Sequence, residues 1–238
     1  MRNKGRGSRT PGPVRATALA AALLLASAFI LAPGCGIQSF PYLAPVKDED
    51  IDEPFDANEP FKFFNNTDND PTYFYGYEIY YKFYSTADGS VFETEEQTLI
   101  DGASLSQATS TLGFRRLVEN GDAVTKPLIY VEPVNRNSRF QNAIDFSQVS
   151  DGSFPSISYN AESFQAARYV EGPGGIIGYY SFSPDELTEI YDDITSDMLT
   201  GSDIRLAFIV FTYGKQNIYQ DLYSLEAAYL GSVVIATP

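Results

Sequence analysis

The twelve residues YFYGYEIYYKFY, Tyr73 to Tyr84, alternate so strictly that an extended strand is the conformation that suits them. Successive side chains of a strand point to opposite faces. Tyr73, Tyr75, Tyr77, Ile79, Tyr81 and Phe83 therefore share one face, which reads as core. Phe74, Gly76, Glu78, Tyr80, Lys82 and Tyr84 share the other, which is half polar and reads as solvated.

Further strands are expected at Phe114 to Val118 and Leu128 to Val134, with Asn120-Gly121 as the turn that pairs them in a hairpin. Weaker candidates are Phe140 to Val149 and Ser156 to Asn160, then Phe164 to Val170 and Ile176 to Phe182 around the turn Gly172-Pro173-Gly174-Gly175. Ile204 to Tyr213 is almost continuously apolar and reads as a central strand; Leu222 to Ile235 closes the chain. Two short helices are expected. One runs from a capping box at Ser104 and Gln107 to Gly113. The other starts at Ser183-Pro184-Asp185-Glu186, carries Leu187, Ile190, Tyr191, Ile194 and Met198 on one face, and stops at Gly201. The expected fold is all-β, an antiparallel β-sandwich with one or two short helices. GYEIYYKFY is similar to the middle strand of immunoglobulin and fibronectin-type domains, and that resemblance supplies the finer fold expectation.

The N-terminal part has a different logic. Arg2, Lys4, Arg6, Arg9 and Arg15 precede an apolar run, Ala16 to Ala32, that ends in Pro33-Gly34-Cys35. A basic start, an apolar middle and a small-residue exit make an export signal. The run is short for a membrane span and is interrupted at Pro33-Gly34. Cys35 is the only cysteine of the chain and stands at the signal exit.

The stretch Leu31-Ala32-Pro33-Gly34-Cys35 resembles a relaxed bacterial lipobox, matching at Gly34 and departing at Pro33 and the displaced Leu31. Together with FYGYEIYYKFY, Gly113-Phe114-Arg115-Arg116-Leu117 and Tyr229-Leu230-Gly231, it resembles uncharacterised lipoproteins of spirochaete type. The resemblance implies that residues 1–34 are removed and that Cys35 carries palmitate-class acyl chains as the new N-terminus. It implies location in the cell envelope, with Gly36 favouring the outer membrane over the inner, and lends no catalytic residue. Residues 35–60 follow as an acylated N-terminus and an acidic, proline-rich linker, with prolines at 41, 45, 54 and 60. Residues 61–238 form the β-rich globular domain, and a division into two domains near Asn137 or Asp151 is also open.

Loss of five basic residues with the signal takes the formal net charge from −15 to −20. Such a chain repels nucleic acid and anionic headgroups, so the membrane is expected as a partner through lipid and nucleic acid is not expected as one. With no histidine and one cysteine that the signal pattern claims, Ser-His-Asp and Cys-His chemistry and zinc sites are excluded. Asp185, Glu186, Glu189, Asp192, Asp193 and Asp197 read as a solvated helix face. Asp68-Asn69-Asp70 starts like a calcium loop, lacks its later ligands, and reads as a polar turn. No catalytic, metal or cofactor site is assigned.

With 17 Tyr and 17 Phe, aromatic residues are the one excess; such residues more often form cross-strand pairs that cover a sheet, and Tyr80 and Tyr84 on the mixed face are, if exposed, candidate contacts for a protein or glycan ligand. Two functions from different classes fit. The first is a non-enzymatic, lipid-anchored binding or structural module; the second is a carboxylate-dependent enzyme acting on glycans of the envelope or environment. An assembly factor with an exposed strand edge is a third.

Overall fold

The computed structural model describes residues 41–236 apart from 88, 148, 150–152 and 202. Cys35 and the signal lie outside them. Among the described residues the strands are β1 Ile51–Asp52, β2 Phe61–Phe64 and β3 Phe74–Ser85, then helix α1 Gly89–Ile100, β4 Arg115–Glu119, β5 Ile129–Tyr130 and β6 Gln141–Asp145. They continue with β7 Ser156–Tyr159, β8 Glu162–Gly172, β9 Ile176–Tyr180, β10 Asp203–Asn217, β11 Gln220–Tyr223 and β12 Ala228–Ala236.

All of these strands join one antiparallel sheet in the order β1-β2-β6-β7-β8-β4-β3-β10-β11, with β12 also on β10, β5 on β3 and β9 on β8. The sheet curls into a half-barrel. Pairing of β3 with β10 runs from Ser85↔Ile204 to Phe74↔Gly214 and forms its spine. Curling brings the β2-β6 half over the β3-β10 half, where Phe61 packs on Phe208 at 5.0 Å and Phe63 on Tyr77 at 5.1 Å. The main core holds Tyr77, Ile79, Tyr81 and Phe83 of β3 with Leu206, Phe208 and Val210 of β10. The face expected to be core is core from Tyr77 to Phe83; at the irregular start of the strand Phe74 enters the core and Tyr75 does not.

The other face of the spine is buried too. Tyr80 and Tyr84, with Ala207, Ile209 and Phe211, form a second core under Phe92 and Leu99 of α1 and under Ala103, Ala108 and Phe114. Helix α1 was not expected, because Asp88-Gly89 reads as a turn and only Phe92 and Leu99 of its twelve residues are buried. A helix that commits so little apolar surface has a weak periodic signal.

Several expectations hold. Ser104 Oγ accepts the Gln107 N–H at 3.3 Å and Gly113 takes φ 78°, closing a short helical turn at Gln107–Thr111. The β8-β9 hairpin turns at Pro173–Gly175, and β6 and β7 fall where expected. Four expectations need correction. The acidic segment from Pro41 is part of the body rather than a linker: Leu43 and Val46 enter the main core, Asp50 is buried against Arg139, and β1 pairs β2. β4 does not pair β5, since both pair β3 and β4 also pairs β8. Leu222 to Ile235 is two strands, parted where Ser224 Oγ accepts from Thr212 N at 3.1 Å.

The last correction is the helix expected after Ser183. Only 3-10 turns form there, at Pro184–Glu186 and Ser196–Leu199. The Ser183 hydroxyl pairs with Ser181 Oγ at 2.8 Å instead of capping. Tertiary partners claim the backbone: the Glu186 carbonyl accepts from Arg168 and the Asp192 N–H donates to Glu171 O. Leu187, Tyr191 and Ile194 are buried along an irregular path, but Ile190, expected on the same face, is exposed. No domain boundary divides the described residues from Pro41 onward, which form one compact unit.

Gly214 has no room for a side chain. A Cβ there would stand 2.0 Å from Tyr73 O and 2.9 Å from Leu43 Cδ1. Gly214→Ala is expected to lower stability by about 2 to 4 kcal/mol, by overpacking against backbone that cannot yield. An unchanged urea midpoint would show that the β3-β10 bulge relaxes freely.

Candidate functional site

The structure corrects the reading of Tyr80 and Tyr84 as exposed contacts. They are 5% and 3% accessible, because α1 lies over their face of the sheet. Tyr84 OH donates to Glu95 Oε2 at 2.8 Å, and Lys82 Nζ donates to the same oxygen at 2.6 Å while lying 4.5 Å from the Tyr84 ring. Tyr80 packs edge-on against Phe211 at 5.6 Å. Burial pushes both phenols far above the ordinary tyrosine range, with Glu95 adding to the effect at Tyr84. Tyr84, through Glu95 and the ring of Phe92, ties the helix to the sheet.

Beside them lies an acid that sequence reasoning passed over. Glu78 sits opposite Phe211 in the β3-β10 ladder and its side chain is fully buried. Arg116 Nη1 stands 3.4 Å from its Oε1, and its Oε2 has no hydrogen-bond partner among the described residues. Around it, Lys126 Nζ donates to Tyr223 OH at 2.8 Å, and Tyr213 OH donates to Asp221 Oδ1 at 2.6 Å. Burial pushes the Glu78 carboxyl up to about 7, against the opposing pull of Arg116 and Lys126. A carboxyl that titrates near neutrality can serve as a general acid or base when a substrate reaches it. A hollow of about 350 Å³ is lined by Arg116, Lys126, Val124 and Tyr169, and Glu78 is not among its lining residues.

A larger opening lies between β3, α1 and the Thr195 to Thr200 segment. This groove of about 440 Å³ is lined by Lys82, Phe83, Tyr84, Val91, Asp197 and Met198. It adjoins a second hollow of about 220 Å³, which shares Lys82, Phe83, Thr195 and Met198 and adds Tyr81, Arg115 and Asp192. An apolar floor with a few charged groups at the margin is the usual make-up of a small-ligand site. Arg115 grips Asp192 through Nη1 at 3.0 and 2.9 Å and the Asp192 carbonyl through Nη2 at 2.8 Å.

Behind this rim a second arginine is completely enclosed. Arg168 donates to Asp193 Oδ1 at 2.8 Å, to Ser181 O at 2.7 Å and to Glu186 O at 2.7 Å, and Tyr81 OH donates to Asp193 Oδ2 at 2.7 Å. Neighbouring Asp192 and Asp193 are thus drawn to different arginines. The expected solvated acid face is replaced, at these two positions, by fixed ion pairs.

The remaining motifs have structural roles. Asn69 Oδ1 accepts from Ala44 N at 2.7 Å and its Nδ2 donates to Ala44 O at 3.2 Å, while Asp70 Oδ1 accepts from Thr72 N at 2.8 Å, so Asp68-Asn69-Asp70 is a polar turn. Arg136 is buried, donating to Val131 O and Pro71 O and stacking on Tyr75. No group of acids among the described residues is arranged to hold a metal ion. No described helix is long and apolar enough to cross a membrane. Comparison with protein-family models, with curated proteins and with solved structures found no match. Glu78 was visible as the one acid inside an aromatic strand; nothing local marked Arg168 or its partners.

Glu78 makes stability depend on pH in a defined direction. Its carboxyl is raised in the folded state, so the folded chain holds more protons than the unfolded one between about pH 4.5 and 7, and stability falls as pH rises through that window. Glu78→Gln is expected to remove this dependence and to gain on the order of 2 kcal/mol above pH 7. Urea denaturation of both forms from pH 4 to 8 checks it; parallel curves would mean that Glu78 is ionised without penalty.

The Arg168 network should respond in the opposite manner. Arg168→Met leaves the Asp193 carboxylate buried and unpaired, and is expected to cost about 3 to 5 kcal/mol. Arg168→Met with Asp193→Leu should cost clearly less, because no charge remains. Chemical denaturation of the single and double variants decides it, and additive losses would sink the view of the pair as one unit.

Proposed function

We propose that this is a lipid-anchored protein of the cell envelope whose β-rich body is a non-enzymatic binding or structural module. One observation carries the reading: a basic, then apolar, then Pro33-Gly34-Cys35 sequence puts the sole thiol at a signal exit, in the pattern that spirochaete-type lipoproteins resemble. Acyl chains at Cys35 hold the protein to a membrane, each buried methylene adding about 0.8 kcal/mol. The outer membrane is the proposed site, with an unidentified protein or glycan as partner. The groove beside Lys82 and Met198 is the surface proposed to receive it.

The carboxylate-enzyme reading draws support from Glu78, whose carboxyl is raised to about 7 beside Asp221 and tyrosines. Against it, the Glu78 side chain has no exposed surface for a substrate to meet, and a glycosidase needs two carboxyls facing across a cleft. Asp192, Asp193 and Glu95 are each held by a basic side chain. The module reading is therefore preferred. An immunoglobulin or fibronectin-like sandwich belongs to the same proposal: the facing of Phe61 on Phe208 supports sandwich-like packing, while one continuous sheet differs from the two sheets of those folds.

The test is the anchor itself. In native material, residue 35 is expected to be the N-terminus and to carry acyl mass, and Cys35→Ser should release the chain from alkali-washed membranes. An unmodified Cys35 by mass spectrometry, or a Cys35→Ser form that stays with the membrane, would overturn the proposal.

A further inference from the structure

We propose that the β10-β11 hairpin tip, with Ile218 and Tyr219 at its apex, contacts the lipid surface and seats the body on the bilayer; this rests on the proposed anchor at Cys35. Ile218 and Tyr219 are 78% and 91% exposed, an apolar and an aromatic side chain held out together on a tight turn. From Lys215 to Gln220 the tip reads KQNIYQ, with a single positive charge and no acid, in a chain of net charge −15. Tyrosine suits the water–membrane boundary, where its ring is buried and its hydroxyl stays wet.

The position of this tip relative to the tether supplies the occupant. Ala44 O accepts from Thr212 Oγ1 at 2.8 Å, and Leu43 Cδ1 lies against Gly214, so going back from Ala44 to Leu43 the chain follows β10 towards the hairpin tip. Tyr42, next along, is 58% exposed. Cys35 is eight residues before Leu43, a covalent reach of at most about 28 Å. The tip is four residues beyond Gly214, about 13 Å along the strand. An anchored Cys35 therefore keeps the tip end of the body near the bilayer. A second exposed apolar pair, Ile176 and Ile177 at the start of β9 beside the Pro173–Gly175 turn, lies at the opposite end, because β8 runs antiparallel to β10 through the β4 and β3 pairings.

The chain has no tryptophan, so one introduced residue reports alone. The full chain with native N-terminal processing, carrying Tyr219→Trp, Ile218→Trp or Ile177→Trp, is bound to phosphatidylcholine vesicles with and without brominated acyl chains. Emission from Tyr219→Trp and Ile218→Trp is expected to shift blue on vesicle binding and to be quenched about twofold by brominated lipid, as for an interfacial ring, with Ile177→Trp unchanged. Cosedimentation without quenching at either tip position would overturn the tip contact and leave the anchor standing. Equal quenching at all three positions would overturn it as well, since the body would then have no preferred seat. A blue shift present before vesicles are added would assign the tip to a second copy of the chain instead, and failure to cosediment would remove both anchor and tip contact.

Discussion

The ladder between β3 and β10 is the constraint on which the body depends. It runs from Ser85↔Ile204 to Phe74↔Gly214, and every other strand connects to it directly or through a succession of neighbours. Because side chains alternate across a strand, one register fixes two cores at once. Ile79 and Val210 meet in the main core, Tyr80 and Ile209 in the one under α1. A slip of one residue would exchange those sets and drive Lys82 into the aromatic interior.

Burial on both faces explains how charge is handled. Glu78 stands in a strand covered on both sides, and Arg168 on the covered side of β8, whose other side exposes Tyr169 and Glu171, so neither side chain meets water where it stands. Arg168 is completed by a carboxylate and two carbonyls, whereas Glu78 has one distant guanidinium and an unpartnered oxygen. The difference appears as a carboxyl raised towards neutrality at Glu78. Leaving a buried polar atom unpartnered costs roughly 1 to 3 kcal/mol, so Glu78 is a weak point of the spine.

Much of the strand content could be read locally. Tyr73 to Tyr84, Ile204 to Tyr213 and the β8-β9 hairpin announce themselves through period-two patterning and turn residues. The candidate site was less legible. Tyr80 and Tyr84 stood out as aromatic residues on a mixed face, but whether such a face meets water depends on a helix that supplies two buried side chains and little pattern of its own. The Ser183 segment fails in the opposite way. Its apolar spacing is helical, yet Ser181, Glu171 and Arg168 claim the side chain and backbone groups that a helix needs.

What the sequence determined by itself is the class of strand-rich antiparallel fold, the two central strands and the exclusion of histidine-dependent chemistry, since each depends on residue type and short spacing. The tertiary structure decided that the acidic segment from Pro41 belongs to the body, that Tyr80 and Tyr84 are sealed, and that Asp192 and Asp193 answer to different arginines. Those outcomes depend on groups far apart in the chain: Arg168 precedes Asp193 by 25 residues and Tyr81 precedes it by 112. Only closure of the sheet sets such distances, so no local pattern could encode them.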